Sequence, residues 1–191
     1  MYVCTLVFSF FGEDREMMSE SICLENYIRS IADWPKEGIL FRDITPLLAD
    51  SQAFRAAVDA LCADFVDSEV EYVAAVEARG FIFGAAAAKQ LGAGFVPIRK
   101  KGKLPSETES ITYELEYGTD TLEVHSDAIE KGAKVLMIDD LLATGGTMSA
   151  ACELIEKIGG DILGITFLIE LMELAGRDKL GGYKVATVLS Y

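Results

Sequence analysis

Apolar residues along this chain fall into short continuous runs, separated by stretches in which they recur at every third or fourth position. EYVAAVE (residues 71–77) and GFVPIR (94–99) are of the continuous kind, expected of strands covered on both faces. Between them FIFGAAAAKQL is alanine-rich and reads as a helix, so the three segments predict one β-α-β unit. KVLMID, which ends at Asp139, is a further core strand. Residues 147–158 then set Met148, Ala151, Cys152, Ile155 and Ile158 on one helical face. SITYELEYG and DTLEVHS alternate apolar and polar residues on either side of Gly118-Thr119, which predicts an antiparallel hairpin with one wet face. DILGITFLIEL and KVATVLSY close the sheet. Nearer the N-terminus, residues 21–32 place Leu24, Tyr27, Ile28 and Ile31 at helical spacing before Pro35. A second helix is expected over 52–66, with Ser51 as its N-cap and Phe54, Val58, Leu61 and Phe65 on one face. The pattern predicts a single α/β domain with a mainly parallel central sheet flanked by helices.

Composition narrows what such a domain can do. The chain has 191 residues, 51% of them hydrophobic, which suits one well-buried core. Its formal net charge of -14 argues against nucleic acid as a partner, because nucleic-acid binders carry a basic footprint. Cys4, Cys23, Cys62 and Cys152 show no C-x-x-C spacing, so reduced thiols in a cytoplasmic protein are expected. The single histidine, His125, removes multi-histidine metal sites from consideration. MYVCTLVFSFF is too short to span a membrane and runs into Glu13, Asp14 and Glu16. Residues 1–17 are expected to be an extension, with Met17 or Met18 as alternative starts and the domain over 18–191.

The candidate chemistry lies in KVLMIDDLLATGGTMSAACELI (residues 134–155), where a strand gives way to a helix. Ligands bind at that place in open α/β sheets. Gly145 and Gly146 permit tight backbone and close approach, and the amides of 144–147 face the helix N-terminus, a cradle for phosphate. Asp139 and Asp140 would repel a phosphate, but they can accept hydrogen bonds from hydroxyls. A phosphate in the turn and a ribose diol at the acids describe a ribose 5-phosphate pocket. Arg99, Lys100, Lys101 and Lys103 crowd four cations into five residues of an otherwise acidic chain, and the polar loop after them, with Gly102 and Pro105, is a candidate lid.

VLMIDDLLATGGT resembles the phosphoribosyl-pyrophosphate signature of the type I phosphoribosyltransferases. GILFRDITPLL, EARGFIFG, PIRKKGKLP and LEYG are similar, in order and spacing, to segments of the adenine-specific branch of that family, and the resemblance covers about residues 22–191. It implies a small N-terminal hood and an antiparallel lid hairpin beside the sheet. It also implies that Asp139 and Asp140 take the ribose diol, while Ala143, Thr144, Gly145, Gly146 and Thr147 hold the 5-phosphate. Arg79, Lys100 and Lys103 would meet the pyrophosphate, and the Glu77-Ala78 peptide would be cis. Phe41 and Leu171 read as core residues by pattern alone, and Glu116 as a wet-face residue. The resemblance instead makes Glu116 a catalytic group alongside Arg79, puts Tyr117 in the lid, and brings Leu40, Phe41, Arg42 and Leu171 to the base. Its implied reaction joins adenine to phosphoribosyl pyrophosphate, giving AMP and pyrophosphate in purine salvage. Mg2+ would be held mainly by the substrate diphosphate, with no firm protein ligand. A cytoplasmic homodimer with no membrane partner is the expected setting. A regulator that only senses phosphoribosyl pyrophosphate would need an added DNA-binding domain and a basic surface, which this chain does not offer.

Overall fold

A computed structural model describes residues 22–114 and 118–191, so the extension expected over 1–17 lies outside the described residues. The chain forms two compact units, one ending at Ala60 and one running from Leu61 to Tyr191.

In the first unit β1 (Arg29–Ala32) pairs antiparallel with β2 (Leu40–Asp43), setting Ile31 opposite Phe41. The helix expected over 21–32 does not form. A 3₁₀ turn at Leu24–Tyr27 takes its first residues and the rest is extended. Four apolar positions make a weak helix, and the ladder to β2 satisfies the same backbone groups. Asp43 accepts hydrogen bonds from the Thr45 N–H at 2.9 Å and the Thr45 hydroxyl at 2.8 Å, which starts α1 (Thr45–Ala49). Asp50, rather than the expected Ser51, caps α2 (Ser51–Cys62): its carboxylate accepts from the N–H groups of Gln52 at 3.0 Å and Ala53 at 2.9 Å. The unit boundary falls within α2, which stops short of the expected residue 66 in a 3₁₀ turn at Ala63–Phe65.

The second unit contains β3 (Tyr72–Val76), α3 (Gly80–Leu91), β4 (Gly94–Lys100), β5 (Thr108–Glu114), β6 (Thr119–His125), β7 (Lys134–Leu142), α4 (Gly146–Lys157), β8 (Asp161–Glu170) and β9 (Val185–Ser190). Its sheet runs in the order β5-β6-β4-β3-β7-β8-β9, with β4, β3, β7, β8 and β9 parallel. The predicted β5-β6 hairpin is present and joins β4 antiparallel, with Lys100 opposite Leu122. Val73, Ala74, Val135, Leu136, Met137 and Ile138 are fully buried at the centre, which accounts for the unbroken apolar runs. All five residues assigned to the inner face of α4's segment are buried.

Strand order fixes where a ligand goes. After β3 the chain crosses through α3 to β4 on one side, and after β7 it crosses through α4 to β8 on the other. The neighbours β3 and β7 are therefore the switch point, and a crevice opens beyond their carboxyl ends.

Candidate active site

That crevice is a cleft of about 500 Å³, lined by residues 76–79 after β3, residues 139–148 after β7, and Lys100 and Phe167. Because β3 and β7 each feed a helix at this edge, the N-termini of α3 and α4 lie on its two sides. Each brings unpaired N–H groups and a partial positive charge, which suits anionic groups.

Asp139 and Asp140 stand at the end of the apolar run of β7, and the Asp140 N–H donates to Asp139 Oδ1 at 2.9 Å. Burial pushes the Asp139 carboxyl well above its ordinary value, and the neighbouring Asp140 charge pushes in the same direction. Burial also raises Asp140, opposed by the guanidinium of Arg79, whose Nε forms an ion pair with Asp140 Oδ2 at 2.9 Å. An acid pair whose carboxyls are both pushed upward, set in a cleft, marks a candidate functional site.

The turn after the acids provides the cradle. Gly145 has φ +77° and the N-cap position of α4, so the left-handed backbone expected of the glycine pair belongs to it and not to Gly146, the first helical residue. A Cβ on Gly145 would collide with the carbonyl of Gly176. One on Gly146 would meet only Glu114 O at 3.7 Å and Lys179 Nζ at 3.8 Å. Thr147 Oγ1, in the first turn of α4, is 3.3 Å from the hydroxyl of Tyr113 on β5.

The loop after β3 faces the cradle. The Glu77-Ala78 peptide is cis, as the resemblance implies, and Arg79 is the N-cap of α3. Glu77 accepts from Arg99 Nη2 at 3.0 Å, Arg99 Nε at 3.3 Å and the Lys100 N–H at 2.6 Å. Partial burial draws the Glu77 carboxyl upward, but these donors outweigh it and hold it below its usual range. Lys100 pairs with Asp120 of β6 at 3.1 Å, which raises the lysine.

The structure thus gathers Arg79, Lys100, Asp139, Asp140 and residues 143–147 around one cleft. Lys103 is exposed and does not line it; its carbonyl accepts from Arg99 Nη1 at 3.2 Å. Leu171 follows β8 and lies outside the cleft lining. Leu40, Phe41 and Arg42 are on β2 of the first unit. There the Phe41 ring packs on Trp34 at 4.4 Å between centroids, and Arg42 Nη1 donates to Ser30 Oγ at 2.6 Å. Glu116 and Tyr117 lie outside the described residues. Sequence reasoning missed the partners of the site cations, Glu77 and Asp120. Glu77 stands inside the EARGF motif, but it is 22 residues from Arg99, and nothing in sequence pairs either acid with its cation.

Two helix N-termini and a carboxylate pair meet at the switch point of a mainly parallel α/β sheet, the arrangement of a protein whose cleft suits phosphates and hydroxyls together. Comparison with known proteins agrees. The family model for the phosphoribosyl transferase domain matches residues 47–188. The adenine phosphoribosyltransferase of Pseudothermotoga lettingae is 54% identical over 168 residues, 88% of this chain and 99% of that one. The crystal structure of adenine phosphoribosyltransferase from Rhodothermus marinus aligns with a TM-score of 0.84 and 50% identity, covering 88% of this chain and 96% of that one. The Saccharomyces cerevisiae enzyme, complexed with D-2,5-dideoxy-2,5-imino-altritol 1,6-bisphosphate and adenine, aligns at 0.82 and 41% identity, covering 86% and 96%. This chain belongs to the adenine phosphoribosyltransferase family, a family of transferases.

Proposed function

We propose that this enzyme transfers the 5-phosphoribosyl group of phosphoribosyl pyrophosphate to adenine, giving AMP and pyrophosphate in purine salvage. The observation that carries this reading is the direct run of Asp139 and Asp140 into the cradle at residues 143–147, at the switch point of a sheet of this family. The cradle amides donate to the 5-phosphate and the two carboxylates accept from the ribose hydroxyls. Arg79 exchanges Asp140 for the pyrophosphate, towards which Lys100, and Lys103 from the same loop, add positive charge. Adenine N9 forms the new bond to the anomeric carbon as the bond to pyrophosphate breaks, and the electron pair departs with the pyrophosphate. Glu116 receives or positions the proton that N9 gives up. The remaining work is alignment, stabilisation of the departing charge and exclusion of water.

Mg2+ fits this donor set. The adjacent carboxylates are hard oxygen donors, and magnesium keeps several waters while binding substrate phosphates through few protein ligands. When bound it would neutralise charge on the departing diphosphate; Asp139 and Asp140 are the residues that would hold it, together with the ribose hydroxyls. We infer a cytoplasmic homodimer, supported by the family resemblance. Among the described residues no helix is long and apolar enough to cross a membrane.

By the family resemblance, base choice falls to backbone groups near Leu40 and Arg42, which cannot exchange donor for acceptor. Adenine offers an amine donor and an N1 acceptor, and a 6-oxopurine inverts both. Two buried mismatches at about 1–3 kcal/mol each correspond to roughly 30-fold to 10⁴-fold in kcat/KM. The test is kcat/KM for adenine, hypoxanthine and guanine at saturating phosphoribosyl pyrophosphate and magnesium. Equal or better use of hypoxanthine would reject the base assignment and leave phosphoribosyl transfer standing.

A further inference from the structure

A cation that the proposed reaction does not yet use stands beside the first turn of α4. Lys179 belongs to the 3₁₀ turn Gly176–Leu180, and its Nζ is 3.8 Å from the point where a side chain on Gly146 would begin. Backbone packing puts it there. Gly176 presses so closely on the cradle that its own Cβ would collide with the carbonyl of Ala143, just as one on Gly145 would meet the carbonyl of Gly176. Arg177 then locks the turn from behind. Its Nε and Nη2 each donate at 2.7 Å to the buried carboxylate of Glu170, and further bonds reach Val185 O at 2.9 Å and Thr187 Oγ1 at 3.0 Å. The turn is thereby a fixed buttress of the cradle, and it presents an exposed ammonium group on the cradle's outer rim.

Charge balance gives that ammonium a purpose. The cleft lining carries the carboxyl groups of Glu77, Asp139 and Asp140 against the cations of Arg79 and Lys100, and these two already face Asp140 and Asp120. Both belong to the pyrophosphate side. A phosphate monoester brings nearly two negative charges at neutral pH, whereas a helix N-terminus offers the equivalent of about half a positive one. Among the described residues no carboxylate pairs with Lys179. We propose that Lys179 is a further phosphate-binding residue, supplying the positive charge for the 5-phosphate at the cradle and so favouring phosphorylated over unphosphorylated pentoses. The proposal rests on the cradle reading given above.

The test is calorimetric binding of ribose 5-phosphate, with adenine as control ligand, to the full-length wild type, Lys179→Gln and Lys179→Arg. Lys179 is exposed, so both variants should fold with the wild-type melting temperature. Lys179→Gln is expected to raise the Kd for ribose 5-phosphate by about three- to tenfold, the range for a cation meeting phosphate at a solvated rim. Its Kd should also depend less steeply on salt, adenine binding should be unchanged, and Lys179→Arg should restore most of the loss. An unchanged Kd in Lys179→Gln, with wild type binding normally, would overturn the role of Lys179 and leave the cradle standing. Failure of the wild type to bind ribose 5-phosphate would overturn the cradle reading and this inference with it.

Discussion

Gly80 and Asp139 share one small space: a Cβ on Gly80 would stand 2.6 Å from Asp139 Oδ1. The first residue of α3 and the first acid of β7 come from neighbouring strand ends, and the missing side chain lets the carboxylate reach the N-terminus of α3. The loop after β3 and the acids of β7 are therefore fitted to each other, not assembled independently.

Gly80→Ala is expected to push the Asp139 carboxyl aside while the fold persists, since a terminal oxygen can shift where backbone cannot. Displacement of about 1 Å at a reacting centre can cost about 10²-fold, so kcat/KM for phosphoribosyl pyrophosphate should fall by roughly 10- to 100-fold. Steady-state kinetics beside a melting curve would check this; wild-type kcat/KM would show that Asp139 needs no such placement.

The two cradle glycines should respond differently to substitution. Gly145→Val meets both a left-handed φ of +77° and the Gly176 carbonyl, so it should destabilise the protein by about 2 kcal/mol or more. For a chain of this size that lowers Tm by about 4 °C or more. At Gly146 the nearest atoms are 3.7 and 3.8 Å from the new Cβ. Gly146→Val should therefore keep its fold and lose phosphoribosyl pyrophosphate binding by filling the approach to the amides. Matched thermal melts and calorimetry separate the two, and equal losses of Tm would contradict the assignment.

Asp139 should exchange stability for binding. Its carboxyl is raised above the ordinary value of 3.8, so the folded state holds its proton more tightly than the unfolded chain does. Folding stability from this group is thus lost as pH rises from about 3.8 through the raised value. Asp139→Asn removes the penalty. The variant should be more stable than wild type near neutral pH, by about 1 kcal/mol or 2–4 °C in Tm, with the gap closing towards acid. It should also bind phosphoribosyl pyrophosphate more weakly. Urea denaturation at several pH values would reveal the trend, and a gap that widened towards acid would reverse the sign and refute it.

Glu116→Ala should lower kcat by about 10²-fold or more if the carboxylate assists proton movement at the base. A variant that kept the wild-type kcat would return Glu116 to the wet face of the hairpin.

The strands and helices of the second unit were legible because their patterns are driven by burial. A strand covered on both faces must be apolar throughout, and a helix on that sheet must repeat every three or four residues, so EYVAAVE, GFVPIR and KVLMID marked themselves. The cradle was legible for a related reason: few sequences put two acids and a glycine pair where a strand turns into a helix. Residues 21–32 misled because apolar spacing records that side chains are buried without recording what the backbone pairs with. The ladder to β2, several residues further along, decided that segment.

The sequence by itself determined the class of fold, the acids, the turn and the family, since local composition and spacing carry these. Only the tertiary structure decided which charges face one another. Glu77 holds Arg99, Asp120 holds Lys100 and Arg79 rests on Asp140, and each pair joins residues between 20 and 61 positions apart that strand order makes neighbours. It also decided that Gly145 and Gly176 touch and that Lys179 stands at the cradle, because close approach of two backbones depends on where separate turns meet in space, and no local pattern records that.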